Sequence, residues 1–175
     1  MIDYNNDRNG LIGYTGYIGN NLLKQNSFPY LYNSKNINDI KGRDFDLLVC
    51  SGAPGIKWKA NKNSKQDHQS INHLIACLSH VKAKRMVLVS TIDVYSHVNK
   101  VNEDTPIQKD NLSAYGKHRL ALEEYIANNF NSTIIRLPAI FGKKMVGGLI
   151  YDYILKNFKL FALITASSKT SGIKI

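Results

Sequence analysis

The sequence predicts an α/β protein, a doubly wound parallel sheet with helices on its faces, and three observations predict it. Leu47-Leu48-Val49-Cys50, Met86-Val87-Leu88-Val89 and Thr133-Ile134-Ile135-Arg136-Leu137 are short runs dominated by branched apolar side chains. Near-continuous rather than alternating apolarity marks strands buried on both faces, which is the habit of parallel sheets. Segments with helical periodicity lie between these runs, and alternation of strand and helix is the signature of the doubly wound class. At 175 residues the chain is one domain by size, long enough to bury a core.

Taken in order, the first strand is expected at Asn9 to Ile12. Polar Asn5, Asn6, Asp7 and Arg8 precede it, so it is shorter than a central strand usually is. Residues 67–80 place Ile71, Leu74, Ile75, Leu78 and then Val81 at helical spacing, and residues 114–129 do the same with Leu120, Leu122, Tyr125 and Ile126. After Gly148, Tyr151 to Leu155 reads as a helix, and the Lys-, Ser- and Thr-rich stretch beyond has no obvious partner element. The chain therefore divides into a domain at 1–145 and a stretch at 146–175, either the remnant of a further region or an irregular tail.

Composition narrows the setting. Twenty-three Lys and Arg against 13 Asp and Glu give a formal charge of +10. The lysines are scattered, from Lys24 and Lys35 through Lys57, Lys59 and Lys84, so they describe a solvated basic surface rather than a nucleic-acid-binding arm. Two cysteines, Cys50 and Cys77, set no disulfide framework and read as small buried hydrophobes. The polar N-terminus lacks a signal peptide's apolar stretch, and no apolar run approaches the roughly 20 residues that span a bilayer. A cytoplasmic protein without membrane or nucleic-acid partners is expected.

Gly13-Tyr14-Thr15-Gly16-Tyr17-Ile18-Gly19, followed by Asn20-Asn21-Leu22-Leu23, sits where the first strand should turn into a helix. Glycines three apart there let the backbone bend tightly and approach a pyrophosphate, and the last one permits close helix–strand packing. An acidic residue about twenty positions on would grip the ribose of NAD. Counting from Gly13 reaches Tyr32-Asn33-Ser34-Lys35, with no carboxylate until Asp39. Ser34 and Lys35 suit a 2′-phosphate, which leans the choice between NAD and NADP toward NADP.

From about Leu11 to Gly142 the sequence resembles the NAD-dependent epimerase/dehydratase family, the extended short-chain dehydrogenases, with a Rossmann-type fold. The resemblance rests on motifs in order: Gly13 to Gly19; Val49-Cys50-Ser51-Gly52-Ala53; Asn72; Val89-Ser90-Thr91-Ile92-Asp93-Val94-Tyr95; Glu103-Asp104-Thr105-Pro106; Tyr115-Gly116-Lys117; and Arg136-Leu137-Pro138 through Phe141-Gly142. It implies hydride transfer at a sugar carbon of a nucleotide sugar, with NAD or NADP as cofactor. Tyr115 is the implied acid–base group and Thr91 its hydrogen-bond partner. The family's Lys four residues after the Tyr is replaced by Arg119, on the same helical face as Tyr115. A guanidinium keeps the positive field but cannot pass a proton. Expected cofactor contacts are Gly13, Thr15, Gly16, Tyr17, Ile18, Gly19, Ser34, Lys35, Ser51, Gly52, Ala53, Tyr115, Arg119 and Pro138.

The resemblance also implies that Asn72 braces the fold and that Trp58, between Lys57 and Lys59, lies in the loop after the fourth strand, bordering the substrate cleft. Asp93 matches one member of a dehydratase carboxylate pair, but Ile92 holds the other position. Asp93 therefore reads as a loop or capping residue, and epimerisation or keto reduction is favoured over dehydration. No His spacing suggests a metal site. Only 33 residues follow Gly142, so the family's substrate-binding domain is expected to be largely missing. Two rivals stand beside the enzyme: a non-catalytic dinucleotide-binding protein, and a truncated, inactive family member. Relatives that dimerise through a helix ahead of the Tyr imply a homodimer.

Overall fold

Among the described residues, five parallel strands form one sheet in the order β2-β1-β3-β4-β5. They are β1 (Asn9–Ile12), β2 (Tyr30–Tyr32), β3 (Asp44–Cys50), β4 (Lys82–Thr91) and β5 (Ser132–Leu137), with α1 (Tyr17–Leu23), α2 (Lys57–Lys62), α3 (Ser64–Leu78) and α4 (Ala114–Asn129) between them. The computed structural model describes residues 6–97, 101–102, 104–138 and 140. Phe141-Gly142, Glu103 and the helix expected at Tyr151 to Leu155 lie outside the described residues.

The doubly wound arrangement expected from the sequence is present. The chain steps one way from β1 to β2 and the other way from β3 through β5, so right-handed crossovers put α1 on one face and α3 and α4 on the other. The short first strand stands at Asn9–Ile12, and all four of its residues are buried. Gly10 lets it sit against its neighbour, since a β-carbon there would come within 2.7 Å of the Phe45 ring and 2.9 Å of Leu48. β2 is joined to β3 by a 3-10 turn, Ile37–Ile40, rather than by a full helix. Three strands, not the expected four, precede Trp58. Trp58 lies in α2, after the third strand and not in a loop after a fourth.

The main core joins Leu48, Cys50, Met86 and Leu88 of the sheet to Ile71, Leu74 and Leu78 of α3 and to Leu122 and Ile126 of α4. These are the apolar faces read from the sequence. Burying each Leu or Ile side chain is worth about 1.5–3 kcal/mol. α3 ends at Leu78, so Val81 is a buried turn residue, not the end of the helix. A second cluster, Val94, Tyr95, Leu112 and Leu120, fastens the connection between β4 and α4. Cys50 and Cys77 are free and buried, as expected. Among the described residues no helix is long and apolar enough to cross a membrane, and none of their His, Cys, Asp and Glu side chains cluster in threes to hold a metal ion.

Candidate functional site

The strand order reverses direction between β1 and β3, and the carboxyl ends of those strands open the crevice where doubly wound sheets bind ligands. Gly13 follows β1 there with φ +86°, a left-handed conformation natural to glycine. Its amide donates to the Tyr32 carbonyl at 2.7 Å, tying the turn to β2. A β-carbon on Gly13 would lie 2.5 Å from the Ser51 carbonyl oxygen and 2.7 Å from the Gly52 nitrogen. One on Gly19 would lie 2.7 Å from the Gly13 carbonyl carbon and closer still to its oxygen. These two glycines therefore close the turn internally.

Gly16 has a different place. Thr15 and Gly16 are exposed, Gly16 caps α1 without any side-chain hydrogen bond, and the first turn of α1 carries no acidic residue. The Gly16 amide donates to the Gly13 carbonyl at 3.0 Å, so the loop closes on itself. It presents an exposed surface without a side chain at Gly16, with Tyr17 and Ile18 half-buried behind it. The Ser51 amide and hydroxyl both donate to the Ile12 carbonyl, at 2.9 and 3.0 Å, so Ser51 locks β3 to β1. Ala53 packs against the core, and Gly52 rests on Ile12.

At the end of β2, Asn33 does more than the sequence disclosed. Its side-chain amide donates to the Tyr14 hydroxyl at 3.1 Å, joining the β2 end to the glycine loop, and its side-chain oxygen accepts from the Lys35 amide at 2.8 Å. Asn36 closes the same turn onto Asn33 and Leu31. Ser34 and Lys35 stand exposed on it. Local Asn-to-backbone turns of this kind are legible in an Asn-rich loop, whereas the reach to Tyr14 is not.

Thr91 ends β4. Its hydroxyl accepts from the Asp93 amide at 3.2 Å and lies 3.3 Å from the Asp93 carboxylate, so Asp93 is a turn residue as expected. That carboxylate also pairs with Lys57 of α2 at 2.5 Å. The turn presses on the start of α4, where a β-carbon at Gly116 would collide with the Asp93 carbonyl oxygen. Ser113 caps α4 by accepting from the Gly116 amide at 3.2 Å, and the Tyr115 amide donates to the Asn61 side chain at 2.9 Å. The Thr91 hydroxyl is therefore bonded to Asp93 and not, as the resemblance implied, to Tyr115. Bracing comes from Asn61 of α2 and not from Asn72, which is exposed and bonds His68 one turn earlier in α3.

Arg119 lies one turn beyond Tyr115 and is only 3% exposed. Two of its nitrogens donate to the Asp67 carboxylate of α3 at 2.9 and 3.0 Å, and one also donates to the Pro54 carbonyl in the loop after β3. The guanidinium carbon sits 4.4 Å from the centre of the Tyr115 ring. His118 adds a 2.7 Å contact to Asp67. Burial alone would raise the Asp67 carboxyl, but Arg119 and His118 more than reverse this and hold it below the usual carboxylate range. A sequence signal existed: Asp67 shares a face with Ile71, Leu74 and Leu78, as Arg119 does with Leu122 and Ile126. Opposite charges on two buried helix faces imply each other.

Farther along the sheet, Ser90 donates to Glu123 at 2.5 Å, and Arg136 pairs with the same carboxylate at 2.8 Å. Arg136 also donates to the Tyr95 hydroxyl at 2.6 Å, and that hydroxyl donates to the Asn102 carbonyl at 3.0 Å. This network fastens the ends of β4 and β5 to α4. Pro138 is exposed just past β5, and Trp58 is 69% exposed on α2.

The model of the NAD dependent epimerase/dehydratase family matches residues 31–160. None of the curated proteins matches the chain. Among solved structures, a dTDP-4-dehydrorhamnose reductase from Clostridium acetobutylicum is 18% identical with a TM-score of 0.64, over 87% of this chain and 59% of that one. The Bacillus anthracis dTDP-4-dehydrorhamnose reductase, in complex with NADP, is 17% identical with a TM-score of 0.65, over 87% of this chain and 60% of that one. UDP-glucuronic acid 4-epimerase from Bacillus cereus, in complex with NAD, is 19% identical with a TM-score of 0.63, over 86% of this chain and 62% of that one. The likeness to these structures is one of fold, and the chain spans about three fifths of their length. The family match, covering well over half of the residues, carries the further step: the chain belongs to the NAD dependent epimerase/dehydratase family.

Proposed function

We propose that the chain is an NAD(P)-dependent oxidoreductase or epimerase acting on a nucleotide sugar, with residues 1–145 as its dinucleotide-binding domain. The observation that carries the reading is the cradle at the strand crossing point. There Gly13 and Gly19 close the turn, and exposed Thr15-Gly16, with no side chain at Gly16, leaves room for a pyrophosphate to approach the backbone. Ser51, Gly52 and Ala53 border the same crevice, Ser34 and Lys35 face the adenosine ribose, and Pro138 lies past the end of β5. No carboxylate stands between the end of β2 and Asp39 to repel a 2′-phosphate, which favours NADP. A bound nicotinamide supplies the hydride donor and acceptor.

Tyr115 then exchanges the proton of the sugar hydroxyl whose carbon loses or gains hydride, and Thr91 orients that hydroxyl. Ile92 in place of an acid, and Asp93 paired with Lys57, favour epimerisation or keto reduction over dehydration. One observation favours a second reading, a non-catalytic dinucleotide binder: the cation at position 119 is neutralised by Asp67. Cofactor turnover against a panel of nucleotide sugars separates the two. Turnover that falls about 10²–10⁴-fold in Tyr115→Phe supports the enzyme. Unchanged turnover in that variant excludes Tyr115 as the acid–base group, and cofactor binding without turnover supports the binder.

A further inference from the structure

We propose that Asp67 is a positioning residue for the site: it holds Arg119 as a clamp that fixes the loop after β3 against Tyr115. This rests on the reading that Ser51, Gly52 and Ala53 border the cofactor. Arg119 then serves by placement and is not a catalytic residue.

The geometry makes three demands on one side chain. It must meet both oxygens of Asp67, reach the Pro54 carbonyl, and set its charge over the Tyr115 ring. A guanidinium does all three, because its donors form a planar fork whose charge is attracted to aromatic rings. A lysine ammonium at the same place could not bond Asp67 and Pro54 in one plane. The three partners belong to different elements: Asp67 to α3, Pro54 to the loop two residues beyond Gly52, and Tyr115 to the first turn of α4.

Stability alone does not explain the arrangement. With the side chains of Arg119 and Asp67 only 3% and 5% exposed, both charges have lost nearly all contact with water. Well-packed apolar residues of similar volume are commonly as stable as such a pair, or more so. The Arg119 Nε adds a further cost, being buried with no hydrogen-bond partner. What the ion pair supplies and an apolar pair cannot is a directional tie from the α3–α4 core to the Pro54 carbonyl.

Replacing the pair together separates placement from stability. Arg119→Met alone leaves Asp67 with His118 as its one remaining partner and should lower the melting temperature. Asp67→Leu/Arg119→Met removes both charges, and His118, which loses its Asp67 partner, retains access to solvent. The double variant should melt within a few degrees of wild type, yet bind NADPH at least tenfold more weakly by cofactor fluorescence. Amide hydrogen exchange at Ser51 and Ala60, whose hydrogen bonds to the Ile12 and Ile56 carbonyls flank the loop, should quicken at least tenfold, while α3 and α4 keep their protection. Wild-type exchange in this loop together with wild-type affinity would overturn the proposal. Arg119→Lys, which keeps the charge that answers Asp67 and removes the planar fork, should give the same loop exchange, and it decides the matter should the double variant fail to fold. Failure of the wild type to bind NADPH or NADH would refute the cofactor reading alone, because loop exchange needs no cofactor.

Discussion

Gly19→Ala sets two effects of known size against each other. Gly19 lies inside α1, where alanine is favoured over glycine by about 1 kcal/mol. A surface helix would gain that amount. Here the new methyl would stand 2.7 Å from the Gly13 carbonyl carbon and 2.8 Å from the Tyr14 α-carbon, both backbone atoms that no rotamer change can clear. Ordinary contact would require α1 to retreat from the turn by more than about an ångström, because the Gly13 carbonyl oxygen lies closer still. Overpacking of this kind costs about 1–3 kcal/mol, and more where backbone must move, so the clash wins. A net loss of about 1–2 kcal/mol is expected, together with weaker cofactor binding because the glycine turn is displaced. Two other glycines calibrate the result. Gly55 has no atom within 4 Å of a β-carbon and no positive φ, so Gly55→Ala should stabilise by about 0.4–1 kcal/mol. Gly42 is equally open but has φ +76°, so Gly42→Ala should lose about 1 kcal/mol through backbone strain alone. Urea unfolding at one pH ranks the three. A Gly19→Ala protein as stable as Gly55→Ala would refute the claim that the turn is packed glycine to glycine.

Other outcomes follow from charge and burial. Burial pushes the Cys50 thiol up to about 11 from an ordinary value near 9, so the folded state keeps its proton longer than the unfolded chain. That contribution is complete below pH 9 and is lost as pH rises to about 11, roughly 3 kcal/mol over two units. Urea titrations of wild type and Cys50→Ala across this range should diverge by about that slope. The Asp67 carboxyl is held low, so its contribution is present above the ordinary carboxylate value near 4 and disappears as pH falls below it. Asp67→Asn should therefore lose less stability than wild type on acidification from pH 5 to 2. Lys35→Ala should weaken NADP binding by roughly threefold to tenfold and leave NAD nearly unchanged, read by competitive titration.

Much of the fold was legible because its strongest signals are periodic. The runs at 47–50, 86–89 and 133–137 lie inside β3, β4 and β5, and the helix at 114–129 matches α4 with Ser113 as its cap. β4 begins four residues before its apolar run, at Lys82, because the amino end of the sheet is solvated and tolerates Lys82, Lys84 and Arg85 in register with β3. β2 and α2 escaped notice for another reason. Three residues of strand and the six of Lys-Trp-Lys-Ala-Asn-Lys carry no readable period and owe their form to neighbours. In the site, the glycine loop was legible because Gly13 and Gly19 leave no room for a β-carbon. Arg119 was legible as a neighbour of Tyr115, four residues away on one helix. Its partner on α3 is 52 residues distant, and only the paired buried faces hint at it.

Titration of the folded protein with NADPH and with NADH, followed by cofactor fluorescence, bears most directly on dinucleotide binding at Gly13–Gly19. Saturable one-to-one binding in the wild type, weakened at least tenfold in Gly19→Ala, is the expected result. A wild-type protein of intact circular dichroism that binds neither cofactor saturably would contradict it.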